Sequence, residues 1–211
     1  ASPAATGPAG SHFEGQVGAS YLLCMLADSE PRGMPGTTID RVAFQRADEG
    51  YPLDDVIVHA HDPEGNNAVL EIQVKRSITF APSDAVFKKV VGQIFAASNQ
   101  PGFWTSRHEL AIATTSVSKK ICGAYQDVLR WARNIGSASV FMDRINRAGS
   151  ANDDMRSFVN TFKSNLRDAG GVDDDEMIWK LLRKLQILTF DFTSVGSAAV
   201  DIAKERAARV L

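Results

Sequence analysis

Two hydrophobic periods alternate along this chain, and the points where one gives way to the other sketch its elements. Val17, Tyr21, Leu22 and Met25 recur at helical spacing and predict a first helix over residues 13–27, ended by a Pro/Gly-rich loop at 31–36. Alternation of β-branched and polar residues then predicts three strands in close order, at 38–46, 53–60 and 68–75. The stretch Asp62-Pro63-Glu64-Gly65-Asn66-Asn67 joins the last two as a hairpin. Ser83 is the expected N-cap of a helix reaching Asn99, with Val86, Val90, Ile94 and Phe95 on one face. A short apolar run at 110–115 predicts a further strand. Beyond it the helical period takes over at 118–135, 137–147, 153–168 and 176–185, broken at Gly136, Gly149 and Gly170-Gly171. A last strand-like segment at 186–192 precedes a final helical stretch from Ser197. Helix, three strands, helix, strand and a helical half describe an α/β fold with an added helical region.

Chain length and charge narrow this picture. The 211 residues suffice for one sizeable α/β domain, with or without a small helical appendage. No stretch approaches the ~18 consecutive apolar residues of a membrane span, so no membrane partner is expected. Residues 1–11 are rich in Pro, Gly and Ala and lack the basic start and apolar core of a secretory signal, so 1–12 read as a disordered leader. At the other end Val200, Ala203, Ala207 and Val210 continue an amphipathic pattern without a Gly or Pro stop. Residues 194–211 are therefore expected to open a linker or a following domain. Cys24 and Cys122 are too few for a structural zinc site and are expected as free thiols in a reducing compartment, the cytoplasm by default. A net charge of −2 argues against coating nucleic acid by bulk electrostatics. Local grip is still compatible, because basic residues pair at Lys75-Arg76, Lys88-Lys89 and Lys119-Lys120, and gather at Lys180 with Arg183-Lys184. Taken singly, such clusters read as solvated faces.

The informative words are Leu53-Asp54-Asp55-Val56-Ile57-Val58 and Leu70-Glu71-Ile72-Gln73-Val74-Lys75-Arg76-Ser77. Alternate strand residues share a face, so Glu71, Gln73 and Lys75 project to one side while Leu70, Ile72 and Val74 pack on the other. A solvated sheet face would account for that by itself. The partner strand points elsewhere, because a carboxylate opening a Val-Ile-Val run is disfavoured by propensity and by burial. A hairpin would set one of Asp54 and Asp55 alongside residues 71–75 and turn the other to the opposite face. Two carboxylates, an amide and a lysine at neighbouring strand ends offer hard oxygen ligands for Mg²⁺ with an ammonium beside them. Phosphodiester hydrolysis uses such a site: the metal polarises the phosphate and acidifies a water, and a cation orients that water or stabilises charge.

Asp55 followed by Gln73-x-Lys75 resembles the D…(D/E/Q)-x-K signature of the PD-(D/E)XK restriction-endonuclease-like superfamily, and the Gln variant resembles its Mrr-like branch. The two words are also similar to the double-stranded-DNA nuclease domains at the N-termini of bacterial anti-phage effector proteins, among them effectors of cyclic-nucleotide-signalled systems and large NTPase defence proteins. The resemblance covers residues 13–116 well. Beyond them it is carried by Ile178-Trp179-Lys180-Leu181-Leu182-Arg183-Lys184-Leu185 leading into Thr189-Phe190-Asp191-Phe192. It implies a nuclease domain at 13–193, with a restriction-endonuclease-like core (helix, three-strand meander, helix, strand) over 13–116 and a helical half over 117–193. It implies an endonuclease using Mg²⁺, or Mn²⁺ in its place, on double-stranded DNA. Its partners would be a larger NTPase or sensor region of the same polypeptide and, in a homo-oligomer, further copies.

The metal ligands implied are Asp55, Glu71 or Gln73, and the backbone carbonyl of Val74, with Lys75 orienting or activating the attacking water. Members also carry an acid or Gln on the first helix near the metal, and Glu14 and Gln16 match that place; a first-turn acid favoured by the helix dipole explains Glu14 equally well. Arg76 and Ser77, with Lys88, Lys89, Lys119 and Lys120, are the candidate nucleic-acid contacts. The sequence departs from the signature in two respects: Pro52 stands two residues too early, and Gln73 replaces a carboxylate that Glu71 would then supply. Two alternatives stay open. One is a catalytically silent nuclease fold serving as an assembly module of a larger defence NTPase, and the other is an RNA nuclease with the same centre.

Other features carry less. His59 and His61 share a strand face with Asp55 and could form a His-x-His metal pair, but at a strand end beside Asp62-Pro63 they read as surface residues. His12 and His108 have no partner pattern. There is no G-x-S-x-G word for a serine nucleophile and no G-x-x-x-x-G-K-[ST] for nucleotide hydrolysis. Trp131, Trp179 and Phe141 read as core, and Trp104, near Phe103 and Arg107, as a loop aromatic packing over the sheet.

Overall fold

The computed structural model describes residues 8–115, 117–192 and 196–210. One mixed five-stranded sheet takes its strands in chain order: β1 (Thr38–Phe44), β2 (Val56–His61), β3 (Asn67–Val74), β4 (Arg107–Thr114) and β5 (Leu185–Thr189). Seven α-helices accompany it among the described residues: α1 (Pro8–Leu26), α2 (Ala85–Ser98), α3 (Gln126–Asn134), α4 (Ala138–Asn146), α5 (Asp153–Asp168), α6 (Asp175–Lys184) and α7 (Ala198–Val210). A π-helical turn, Lys120–Tyr125, runs directly into α3. Among the described residues no helix is long and apolar enough to cross a membrane, and Cys24 and Cys122 are both free.

The predicted hairpin forms. Val56 stands opposite Ile72 and His61 opposite Asn67, while Asp62 closes the turn by accepting from the amides of Glu64 and Asn66 and from the Asn66 side chain. β1 pairs antiparallel with β2; β4 joins β3, and β5 joins β4, in parallel. Parallel neighbours need a crossover. The chain supplies one through α2 and the other through α3 to α6.

Strand alternation feeds two cores. Val56, Val58, Leu70, Ile72, Ala111 and Ala113 pack with Phe13, Val17 and Tyr21 of α1. On the other face Leu110, Ile112, Leu185 and Ile187 pack with Phe87, Val90, Ile94, Phe141, Phe158 and Leu181 from the helices α2 to α6. The helical half is thus no appendage. It packs against β4 and β5 on one face of the sheet, and the segment that follows it becomes a strand of that sheet. Neighbouring rings of Phe80, Phe87, Tyr125 and Phe158 sit with centroids between 4.6 and 6.0 Å apart, knotting the loop after β3 to α2, the π-helical turn and α5. That knot holds Phe80 in a left-handed backbone conformation, φ 60°, which a bulky side chain adopts only when its surroundings enforce it.

Some boundaries differ from those the pattern predicts. Among the described residues α1 runs from Pro8. Residues 8–12 of the expected leader are therefore helical, while residues 1–7 lie outside the described residues, as do Ser116 and 193–195 beside the expected internal boundaries. Leu185 opens β5 and does not end the preceding helix. The N-cap of α2 is Asp84 and not Ser83. Its Oδ1 accepts from the amides of Val86 and Phe87, and its Oδ2 from Thr79 N, Thr79 Oγ1 and Phe80 N. Burial alone would raise the Asp84 carboxyl, but the bonds from Thr79, Phe87 and Val86 hold it below the usual carboxylate range.

Asp84→Ala should cost about 1–2 kcal/mol, the upper part of the range for a lost N-cap, seen as a lower urea midpoint at unchanged slope. Because the folded value is depressed, the contribution is complete above the unfolded carboxylate value of about 3.9 and disappears as pH falls through the folded one. The gap between wild type and variant should therefore close in acid. A gap that persists there would show that the carboxylate is not what caps the helix.

Candidate active site

β2 runs antiparallel to β3 and β4 runs parallel to it, so the start of β2 and the ends of β3 and β4 share one edge of the sheet. Asp55, the residue before β2, is buried at that edge with 8% exposure. The hairpin register turns it toward Gln73, the choice between Asp54 and Asp55 that the resemblance implies. Its Oδ2 accepts from Gln73 Nε2, from Val74 N at 2.7 Å and from Lys75 Nζ at 3.2 Å. Lys75 Nζ donates in addition to the Val74 carbonyl at 3.0 Å, so the ammonium is tethered between a carboxylate and a main-chain oxygen. The main chain beneath it is fixed as well, because Lys75 N donates to Ala113 O of β4 at 2.8 Å.

Gln73 is 3% exposed, and its Oε1 has no hydrogen-bond partner. A buried polar atom left unpaired is unfavourable by about 1–3 kcal/mol. Turning the amide over would set that oxygen against the Asp55 carboxylate, which is favourable only with a cation between them. α1 brings Glu14 toward the same edge, where Gln45 at the end of β1 donates to its Oε1. Gln45 takes a left-handed φ of 53°, a conformation that costs a non-glycine residue about 1–3 kcal/mol. Burial raises the Glu14 carboxyl above its ordinary range against the Gln45 bond; Asp55 and Asp54 push it the same way, and Lys75 opposes them. Glu14 thus shares an electrostatic field with the Asp55 cluster while hydrogen-bonding to Gln45. Gln16 is half-buried on α1, and no hydrogen bond among the described residues links it to the cluster. Asp54 is half-buried too, and its carbonyl accepts from Arg46 N at 3.3 Å.

Glu71 belongs to a different arrangement. It is fully buried, with Oε1 2.7 Å from His108 Nε2 on β4 and Oε2 accepting from Leu53 N at 3.2 Å. Both oxygens are engaged in holding the flanks of β3 together, so the second carboxylate expected beside Asp55 is occupied elsewhere. His108 has a partner after all, and one that no local pattern reveals, since the pair spans a parallel crossover. His59 pairs with Arg41 at 2.8 Å, and His61 with Asp40 at 2.8 Å, so neither joins the cluster.

Arg76 and Ser77 leave the strand end exposed. Lys88 pairs with Asp168 at 2.6 Å and Lys120 with Asp154 at 2.7 Å, whereas Lys89 and Lys119 stand exposed without such an ion pair among the described residues. Exposed pairs of this kind contribute little and exchange readily for another anion. A cleft of about 870 Å³ lies between α1, the 30–35 loop and α7, and none of these residues lines it.

Asp55, Gln73 Oε1 and the Val74 carbonyl, with Glu14 nearby, form an all-oxygen set of the kind Mg²⁺ and Mn²⁺ accept. The set is light in charge: among the described residues no three His, Cys, Asp or Glu side chains are grouped to hold a metal ion. It fits a hard divalent cation through its amide and main-chain oxygens, and the orphaned Gln73 oxygen is the atom that fits best. Compared with known proteins, the chain matches no family model, no curated protein and no solved structure.

His108→Ala would leave a fully buried carboxyl with one amide donor. It should lower the unfolding free energy by roughly 3 kcal/mol, as breaking a buried pair does, measured by urea unfolding. Glu71→Gln keeps an acceptor for Leu53 N and should lose less than half as much. Equal losses would show that an unpaired carboxyl is not the cause, since Glu71→Gln leaves none and keeps the imidazole on Phe103, whose ring centroid lies 4.7 Å away.

Proposed function

We propose that the chain is a Mg²⁺-dependent endonuclease hydrolysing phosphodiester bonds of double-stranded DNA, built on a restriction-endonuclease-like core and serving as the effector part of an anti-phage defence protein. One observation carries this reading: Asp55, Gln73, Val74 and Lys75 converge in a single bonded cluster at one sheet edge. A D…Q-x-K spacing arises easily by chance. Chance gives no reason for its members to meet in space, buried, with a ligand-type oxygen left unpartnered. The defence role rests on the resemblance of the two strand words alone.

Mg²⁺, when bound, would polarise a phosphate oxygen and acidify a water. The chain's own residues account for the rest. Asp55, Gln73 through Oε1 and the Val74 carbonyl hold the ion, and Glu14 adds charge from α1. Lys75 Nζ, drawn away from Asp55, donates to the attacking water or to the phosphate oxygens where negative charge grows. Arg76 and Ser77, exposed directly after Lys75, meet the flanking phosphates. With a net charge of −2 the chain grips a polyanion only through local clusters, so several copies held together would bind a duplex far better than one.

Supercoiled plasmid should be nicked and linearised with Mg²⁺ or Mn²⁺, and chelator should stop the reaction. Lys75→Ala should slow cleavage by about a hundredfold or more while remaining folded. Cutting by that variant at the wild-type rate would place the chemistry elsewhere. Cleavage of RNA alone would change the substrate, and inactivity on both would favour a silent assembly module.

A second measurement needs no turnover. Mn²⁺ should raise the melting temperature of wild type and of Asp54→Asn but not of Asp55→Asn, because only Asp55 faces the cluster. The reverse pattern would mean that the strand register is off by one residue.

A further inference from the structure

A second cluster of charge lies where β4 and β5 begin, the edge opposite the one at which β3 ends. Glu109 pairs with Leu70 and Ala113 with Val74, which separates the two places by ~13 Å of strand at about 3.3 Å per residue. Here a pocket of about 510 Å³ is lined by Trp104, Glu109, Arg133, Lys180, Arg183 and Lys184. Four cations share it with one carboxylate. Concave walls of one sign focus the field and raise the local concentration of the opposite charge.

Arg133 is committed to the architecture, since its Nε donates to the Arg183 carbonyl at 2.9 Å, and its Nη2 to the Leu185 carbonyl at 2.9 Å and to Glu109 at 3.2 Å. Lys184 donates to the Ser106 carbonyl at 3.3 Å and lies 5.8 Å from the Phe103 ring centre. Burial lowers its pKa, Glu109 opposes that, and Arg183 and Arg133 lower it further. Lys180 and Arg183 have no comparable commitment. Both are exposed on α6, the first pairing at 3.1 Å with the exposed Glu176 and the second lying 4.5 Å over the Trp179 ring. A solvated helix face would explain these two but not what stands beside them. Trp104 is 41% exposed, touching the buried Phe103 edge-on at 4.8 Å and leaving its indole open to a further ring.

An open aromatic surface beside converging cations offers separate grips for a base and for phosphate: stacking for the first, charge-assisted hydrogen bonds for the second. We propose that this pocket binds a nucleotide of the nucleoside diphosphate class, its phosphates held by Lys180, Arg183, Lys184 and Arg133 and its base stacked on Trp104. The site is separate from the proposed phosphodiester centre and does not depend on it.

The test titrates ADP, pyrophosphate and adenosine separately into the full chain, followed by calorimetry. ADP should bind saturably by millimolar concentration, pyrophosphate should compete with it, and adenosine should bind far more weakly. Lys180→Gln combined with Arg183→Gln should weaken ADP by about tenfold or more. Trp104→Leu should weaken ADP while leaving pyrophosphate unchanged, a split that loss of the fold cannot imitate. Lys75→Ala should bind ADP as wild type does, whatever becomes of DNA cleavage. Absence of saturable ADP binding, or equal affinity in the charge variant, would overturn the proposal. So would a short DNA duplex that binds through Lys180 and Arg183 while ADP does not, since the patch would then be a track for nucleic acid.

Discussion

Glu71 and Gln73 lie beside Leu110 and Ile112 of β4, on the face of the sheet that packs against the helices α2 to α6. Under that cover a polar atom has no water to turn to, so each must find a partner inside the protein or remain a penalty. The two residues meet this constraint differently. Glu71 satisfies both oxygens, through His108 on one side and Leu53 N on the other, and so becomes a clamp across three segments. Gln73 satisfies its nitrogen on Asp55 and leaves its oxygen unpaired. A fully satisfied buried network reads as architecture, whereas a half-satisfied one marks a place where something else belongs. The site is proposed where the constraint is left unmet.

Both layers of the fold contribute to that place. α1, packed on one face, brings Glu14, while the strands supply Asp55 and Gln73 toward the other. The loop leaving Lys75 is held by the aromatic knot around Phe80, so the residues that follow the lysine keep a defined path. Helical packing and site geometry are therefore linked: loosening the α5 contact at Phe158 would free the loop next to Lys75.

Much of this was legible in the sequence because it is local. Alternation places β2 and β3, the Asp62–Asn67 turn sets their pairing, and the pleat lets only one of Asp54 and Asp55 face Gln73, the resemblance selecting Asp55. What the pattern could not show is what depends on distant partners. His108 reaches Glu71 across a crossover, Gln45 reaches Glu14 from the end of a different strand, and β5 joins β4 only after four helices have intervened. Glu71 and Gln73 look alike in the strand word, and their different uses depend on which neighbour lies over each. The cap at Asp84 was missed for a similar reason, since Ser83 is an equally good capping type and the choice rests on the loop at Thr79 and Phe80.

The pairing of β2 with β3 stops at Val56 and Ile72, and the next amide along, Val74 N, bonds to the Asp55 side chain instead. The final tie of that ladder is therefore made to a carboxylate, while every tie before it is made between peptide groups. Peptide-to-peptide ties are indifferent to ions, but this one weakens whenever an ion or a substrate group claims the same oxygen. Hydrogen exchange at the Val74 amide would thus report whether that carboxylate is free, quickening if it were taken up while the amides of Leu70 and Ile72, deeper in the ladder, kept their slow rates.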